Sequence, residues 1–127
     1  MGIRLVWDSP DRSVIRWDFD LSWNAGDFAH SVDAALAMIM MAQAPVHMII
    51  NQPRRPVDTR IFKQVKRLIS ALPATCTTVI VDESPVVRTM VETFGKINPR
   101  LRHQMLIADT LDEARDLLGV ATVVAIA

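Results

Sequence analysis

Between Arg54 and Arg67 the chain runs RRPVDTRIFKQVKR, with Arg54, Arg55, Arg60, Lys63, Lys66 and Arg67 set around a single acid, Asp58. Guanidinium and ammonium groups at this density can hold an anion. If a helix starts near Thr59, its first backbone amides add the positive end of the helix dipole. The chemistry this implies is docking, of an acidic protein partner or an anionic small ligand, and not bond-making. The same residues have a plainer use as a solvated helix face whose first turn is capped by Asp58 or Thr59.

A second set of polar residues falls where open α/β sheets place ligands, at the ends of apolar runs: Asn51, Asp82 and Asp109. These support an alternative, a small-ligand or nucleotide binder or an enzyme working at the C-terminal ends of parallel strands. Asp82 and Glu83 equally suit the start of the helix that follows Ser84-Pro85. No catalytic residue is assigned. Ser84 has no G-x-S-x-G context, and the four glycines are scattered, so no phosphate- or dinucleotide-binding turn is present. His30, His47 and His103 are too far apart for a metal spacing, and His47 reads as a packed or edge histidine inside a strand. Cys76 is the only cysteine and lacks a histidine partner by motif, so it reads as a buried thiol. We expect no cofactor and no metal.

These residues hang on elements that the hydrophobic pattern defines. Ile3, Leu5 and Trp7 alternate with Arg4 and Val6; after Asp8-Ser9-Pro10-Asp11, Ile15, Trp17 and Phe19 alternate with Arg16 and Asp18, which predicts a hairpin with one apolar face. Asn24 with Asp27 predicts a capping box for a helix whose core face is Phe28, Val32, Ala35, Leu36 and Ile39. Val46 to Ile50 reads as the central strand. The helix after it carries Ile61, Phe62, Val65, Leu68, Ile69 and Leu72 on one face. Thr77 to Val81 is a further buried strand, and Val87, Met90, Val91 and Phe94 mark the next helix, which Gly95 is placed to end. Met105 to Ala108 is the last strand. Thr110 and Glu113 cap a final helix that buries Leu111, Ala114, Leu117 and Leu118 and stops at Gly119. The expectation is one domain over residues 1–119, with an apolar tail at 120–127 that adds an edge strand or meets another subunit.

Half of the 127 residues are hydrophobic, enough for one core. The formal net charge of zero hides a segregation, acidic before Ala44 and after Gln104 and basic in between. That distribution argues against a nucleic-acid binder and for one positive patch on an acidic surface. No run approaches the roughly 18 apolar residues a membrane span needs. With one cysteine and no leader pattern, we expect a cytoplasmic protein. Met38, Met40 and Met41 make the second half of the first helix apolar nearly all round. They are either packed deep in the core or, for Met38 and Met41 in particular, used as a contact between subunits in a homo-oligomer.

The order of hairpin, helix, strand, helix, strand, helix, strand and helix, carried by WDFDLSWNAGDF (17–28), VHMIIN (46–51), TTVIV (77–81) and LIADTLDEARDLL (106–118), resembles the STAS domain of anti-sigma-factor antagonists and small bacterial STAS-like proteins of unassigned function. The resemblance implies an α/β fold with a mostly parallel five-stranded sheet and a non-catalytic regulatory module that binds a protein partner. Antagonists of that family carry a phosphorylatable serine where the helix after the central strand begins. The matching residue here is Thr59, although the family's Asp-Ser-Ser-Gly run is replaced by Asp58-Thr59-Arg60-Ile61.

Overall fold

Period-two alternation in the first twenty residues builds an antiparallel hairpin, β1 (Ile3–Trp7) and β2 (Val14–Phe19), in register Ile3↔Phe19 through Trp7↔Ile15. Asp11 closes the turn by accepting from the Ser13 amide at 3.1 Å and the Ser13 hydroxyl at 2.7 Å, while Arg12 takes the left-handed conformation with φ 57°. This computed structural model describes residues 2–51, 59–81, 85–97, 99 and 104–126, with 59, 62, 85–87, 90, 94 and 120–126 described by backbone alone.

Three more strands follow in parallel: β3 (His47–Asn51), β4 (Thr78–Val81) and β5 (Met105–Ala108), giving a five-stranded sheet in the order β1-β2-β3-β4-β5. Each strand is added on the same side of the one before it. Right-handed crossovers therefore place the three connecting helices on one face: α1 (Ala25–Met41), α2 (Phe62–Ala71), entered through a 3-10 turn at Thr59–Ile61, and α3 (Pro85–Ile97). The fourth helix, α4 (Leu111–Ile126), has no further strand to reach and folds back onto the other face. Alternate strand residues sort accordingly. Met48 packs with the α1 and α2 side, whereas Ile49, Val79, Val81 and Ala108 pack with Ala114 and Leu118 of α4.

The core under α1 is aromatic. Trp17, with no exposed surface, lies 5.7 Å from Phe28 between ring centroids, and Trp23 meets Phe19 edge-on at 5.3 Å. The α1 capping box is complete: Asn24 Oδ1 accepts from the Asp27 amide at 2.9 Å and Asp27 Oδ2 from the Asn24 amide at 3.1 Å. At α4, Thr110 Oγ1 accepts from the Glu113 amide, but Glu113 reaches the Asp109 amide, one residue earlier than the expected pairing.

Three expectations are corrected. Gly95 does not end α3; it is buried within the helix, which continues to Ile97. Gly119 does not end α4, so the tail prolongs that helix to Ile126 and adds no edge strand. An interior glycine costs a helix only about 1 kcal/mol, less than abandoning the hydrogen bonds of another turn or two. Finally, the second half of α1 is not deeply packed: Met40 and Met41 are each 84% exposed and Met38 is half-buried.

Candidate functional site

Sequence placed the candidate site on the basic face of α2 and the loop before it. Arg54, Arg55 and Asp58 lie outside the described residues, as do the Thr59 side chain and, for the strand-end alternative, Asp82, Glu83 and Ser84; His103 also lies outside them. Of the rest, Arg60, Lys63 and Lys66 are exposed on α2 and its entry turn. Arg67 is turned aside. Its Nη1 pairs with Asp33 on α1, its Nη2 donates to the Ala29 carbonyl at 3.4 Å, and its Nε to Gln64 Oε1 at 2.8 Å. Arg67 thus joins two helices on the surface, a pair of modest energetic weight.

The strand ends are also internally engaged. Asn51 Nδ2 donates to Asp18 Oδ1 at 3.2 Å, and Asp109 is paired at 2.8 Å with Arg88 of α3. From Asp18 a chain of contacts runs along the sheet face that α4 only partly covers. Arg16 Nε donates to Asp18 at 2.9 Å and Arg16 Nη1 to Asp8 Oδ1 at 2.8 Å; Arg115 on α4 closes on both Asp8 oxygens at 2.9 and 3.0 Å. The Asp8 side chain is only 5% exposed. Hydrogen bonding from Arg115, aided by Arg16, holds its carboxyl below the usual carboxylate range in spite of burial. Sequence reasoning missed this network. Its visible signal was Arg16 and Asp18 on the polar side of β2, but nothing local pointed to a partner 107 residues away.

Buried titratable groups are inert in this arrangement. His47 Nδ1 accepts from the Thr77 amide at 3.0 Å, and burial depresses its pKa, keeping the imidazole neutral. Burial pushes the Cys76 thiol up to about 12, opposed slightly by the nearby Thr78 hydroxyl, which nevertheless makes no hydrogen bond of good geometry. Among the described residues no group of three or more His, Cys, Asp or Glu is placed to hold a metal ion, and no helix is long and apolar enough to cross a membrane.

The surface feature that remains is the margin where α1 lies against β1, the edge strand of the sheet. Two clefts meet there at Met38. One, of about 570 Å³, is lined by Trp7, Arg12, Met41 and Ala42; the other, of about 430 Å³, by Ile3, Arg4, Leu5, Asp27 and His30. Gly2 and Asp8 bond inward toward β2. By the alternation of an antiparallel ladder, Ile3, Leu5 and Trp7 then turn their N–H and C=O groups outward. The margin combines an edge strand's outward hydrogen-bonding groups with the exposed Met41 and the half-buried Met38. Among the described residues no nucleophile, base and oxyanion donors are juxtaposed at this margin.

Compared with protein-family models, with curated proteins and with solved structures, the chain matches none of them.

Proposed function

We propose that this protein is a non-catalytic, STAS-like interaction module of the cytoplasm, and that it acts by self-association through the margin of β1 and α1. The observation that carries this is the exposure of Met41, 84%, which with Met38 lines a cleft shared with Trp7 of the edge strand. Edge strands of soluble proteins are ordinarily blunted by proline, bulges or inward-pointing charge. β1 reads Ile-Arg-Leu-Val-Trp and has only Arg4 for that purpose.

A second copy fits this edge by symmetry. Two β1 strands run antiparallel about a two-fold axis at Leu5 set Leu5 opposite Leu5 of the other copy and Ile3 opposite Trp7, all with outward-facing hydrogen-bonding groups. Arg4 falls opposite Val6, so like charges do not meet directly. Ile3, Leu5 and Trp7 would continue the apolar strip that Met38 and Met41 begin. Sedimentation velocity of the whole protein is expected to show a dimer at tens of micromolar. Met38→Lys/Met41→Lys is expected to shift it to monomer without loss of helical circular dichroism. A wild-type protein that stays monomeric at several hundred micromolar would remove the proposal.

A second reading keeps the anion or partner site at Arg54, Arg55, Arg60, Lys63 and Arg67, with Thr59 as a phosphoacceptor. The exposure of Lys63 and Lys66 favours it, and the pairing of Arg67 with Asp33 weakens it. It predicts that inorganic phosphate or an acidic peptide raises the melting temperature of wild type more than that of Arg54→Ala/Arg55→Ala. Equal shifts in both proteins would count against it.

A further inference from the structure

Five residues of α1 reach the two clefts beside β1: Asp27, His30, Ala34, Met38 and Met41. Spacings of three and four set them along one stripe of the helix. Ala34 stands exposed at its middle, with His30 and Met38 at equal distances on either side and Asp27 and Met41 beyond them. The strand alongside has the same centre. Ile3 shares a cleft with Asp27 and His30 at one end, and Trp7 shares the other with Met38 and Met41. Ile3 to Trp7 spans about 13 Å of strand, and His30 to Met38 about 12 Å of helix, which sets Leu5 and Ala34 at matching heights. Stripe and strand are separate elements, and one two-fold axis serves both.

We infer that a second copy of this chain lays its α1 antiparallel against this stripe, and that Ala34, on the axis, is the residue that sets how closely and in which register the two helices meet. This pairing rests on the self-association through β1 proposed above and extends it from the sheet to the helix layer. Spacing supports it. α1 covers Ile3, Ile15 and Trp17 of β1 and β2, and α2 covers Ile50, Thr78 and Ile80 of β3 and β4. Each helix therefore takes the width of two strands, about 10 Å, which is the distance at which helices pack. Joining β1 to the β1 of another copy continues the sheet, and the second α1 falls at the next such place on the same face. With Cα atoms about 2.3 Å from each helix axis, the two Ala34 Cα atoms come to about 5 Å, too close for a longer side chain. His30 then faces Met38 of the other copy, and Asp27 faces Met41. Charge agrees with this register. Arg12 lines the cleft of Met41 and so comes to the Asp27 end of the other copy, while Asp11 beside it is already held by Ser13. An exposed pair of that kind guides register more than it adds strength.

Ala34→Cys in the whole protein, mildly oxidised, is expected to give a disulfide-linked dimer, because a Cα separation of about 5 Å lies within the roughly 4.4–6.8 Å that a disulfide spans. Met40→Cys is the reference: that position is 84% exposed on the same helix but lines neither cleft, and it is expected to stay unlinked. Wild type, whose Cys76 is buried, is expected to stay unlinked as well. Ala34→Gln adds bulk at an exposed position and is expected to raise the dimer Kd by about tenfold or more with helical circular dichroism unchanged. Sedimentation velocity of wild type separates this inference from the self-association on which it rests. If wild type is a dimer and Ala34→Cys links no better than Met40→Cys, the helix pairing is overturned and association through β1 stands. An unchanged Kd in Ala34→Gln overturns it in the same way. A monomeric wild type at several hundred micromolar removes both.

Discussion

Gly2 has no side chain because there is no room for one. A Cβ at that position would stand 2.1 Å from the Trp23 Cα and 2.5 Å from its nitrogen, both backbone atoms that cannot swing away. No glycine in the described residues has positive φ, so the requirement is steric and not conformational. The close approach seats Trp23 against Phe19 and Phe28 at the start of α1. Gly2→Ala is expected to destabilise the protein by about 1–3 kcal/mol, seen as a lower denaturation midpoint at unchanged slope. An unchanged midpoint would mean the first residues yield freely. In the sequence Gly2 was only one of four scattered glycines, because a steric contact between residues 2 and 23 leaves no local pattern.

At the scale of elements, caps were legible and stops were not. Asn24 with Asp27 and Thr110 with Glu113 act within four residues of one another, so their hydrogen bonds follow from spacing. Gly95 and Gly119 were misread because a glycine ends a helix only where the chain gains by leaving it, and that gain is a tertiary quantity. The attachment of α4 is likewise non-local: Arg115 grips Asp8 at the end of β1, from the other end of the chain. Asp8→Asn is expected to cost about 2 kcal/mol at neutral pH. That figure is discounted from the value for a wholly buried pair because Arg115 is 44% and Arg16 23% exposed. The sign with pH follows from the lowered folded pKa of Asp8. Its stabilising contribution is present above the unfolded value of about 3.9 and is lost as pH falls through the lower folded value. Wild type and Asp8→Asn should therefore differ in stability at pH 7, and the difference should shrink as pH falls through the lowered folded value of Asp8. A difference that persists undiminished in acid would show that the network is not what Asp8 contributes.

For the whole molecule, the sheet order assigns every surface its neighbour. Because each strand adds on the same side, α1, α2 and α3 crowd one face, α4 covers part of the other, and β1 is left as an edge beside Met38 and the exposed Met41 of α1. If that edge pairs with a second copy, the melting temperature must rise with protein concentration in wild type and be flat in Met38→Lys/Met41→Lys. Flat behaviour in both would agree with a monomer and sink the proposed function. Sequence alone determined the order and type of the elements, the inward face of the hairpin and, among the described residues, that of α2, the α1 capping box and the Thr110 cap of α4. Those properties are written in spacings of two to four residues, which local backbone geometry translates directly. Tertiary structure alone decided which apolar residues stay uncovered, that Arg67 faces Asp33, and that Asp8 meets Arg115. Each of these depends on residues brought together across tens of positions, and the free energy that selects them belongs to packing as a whole.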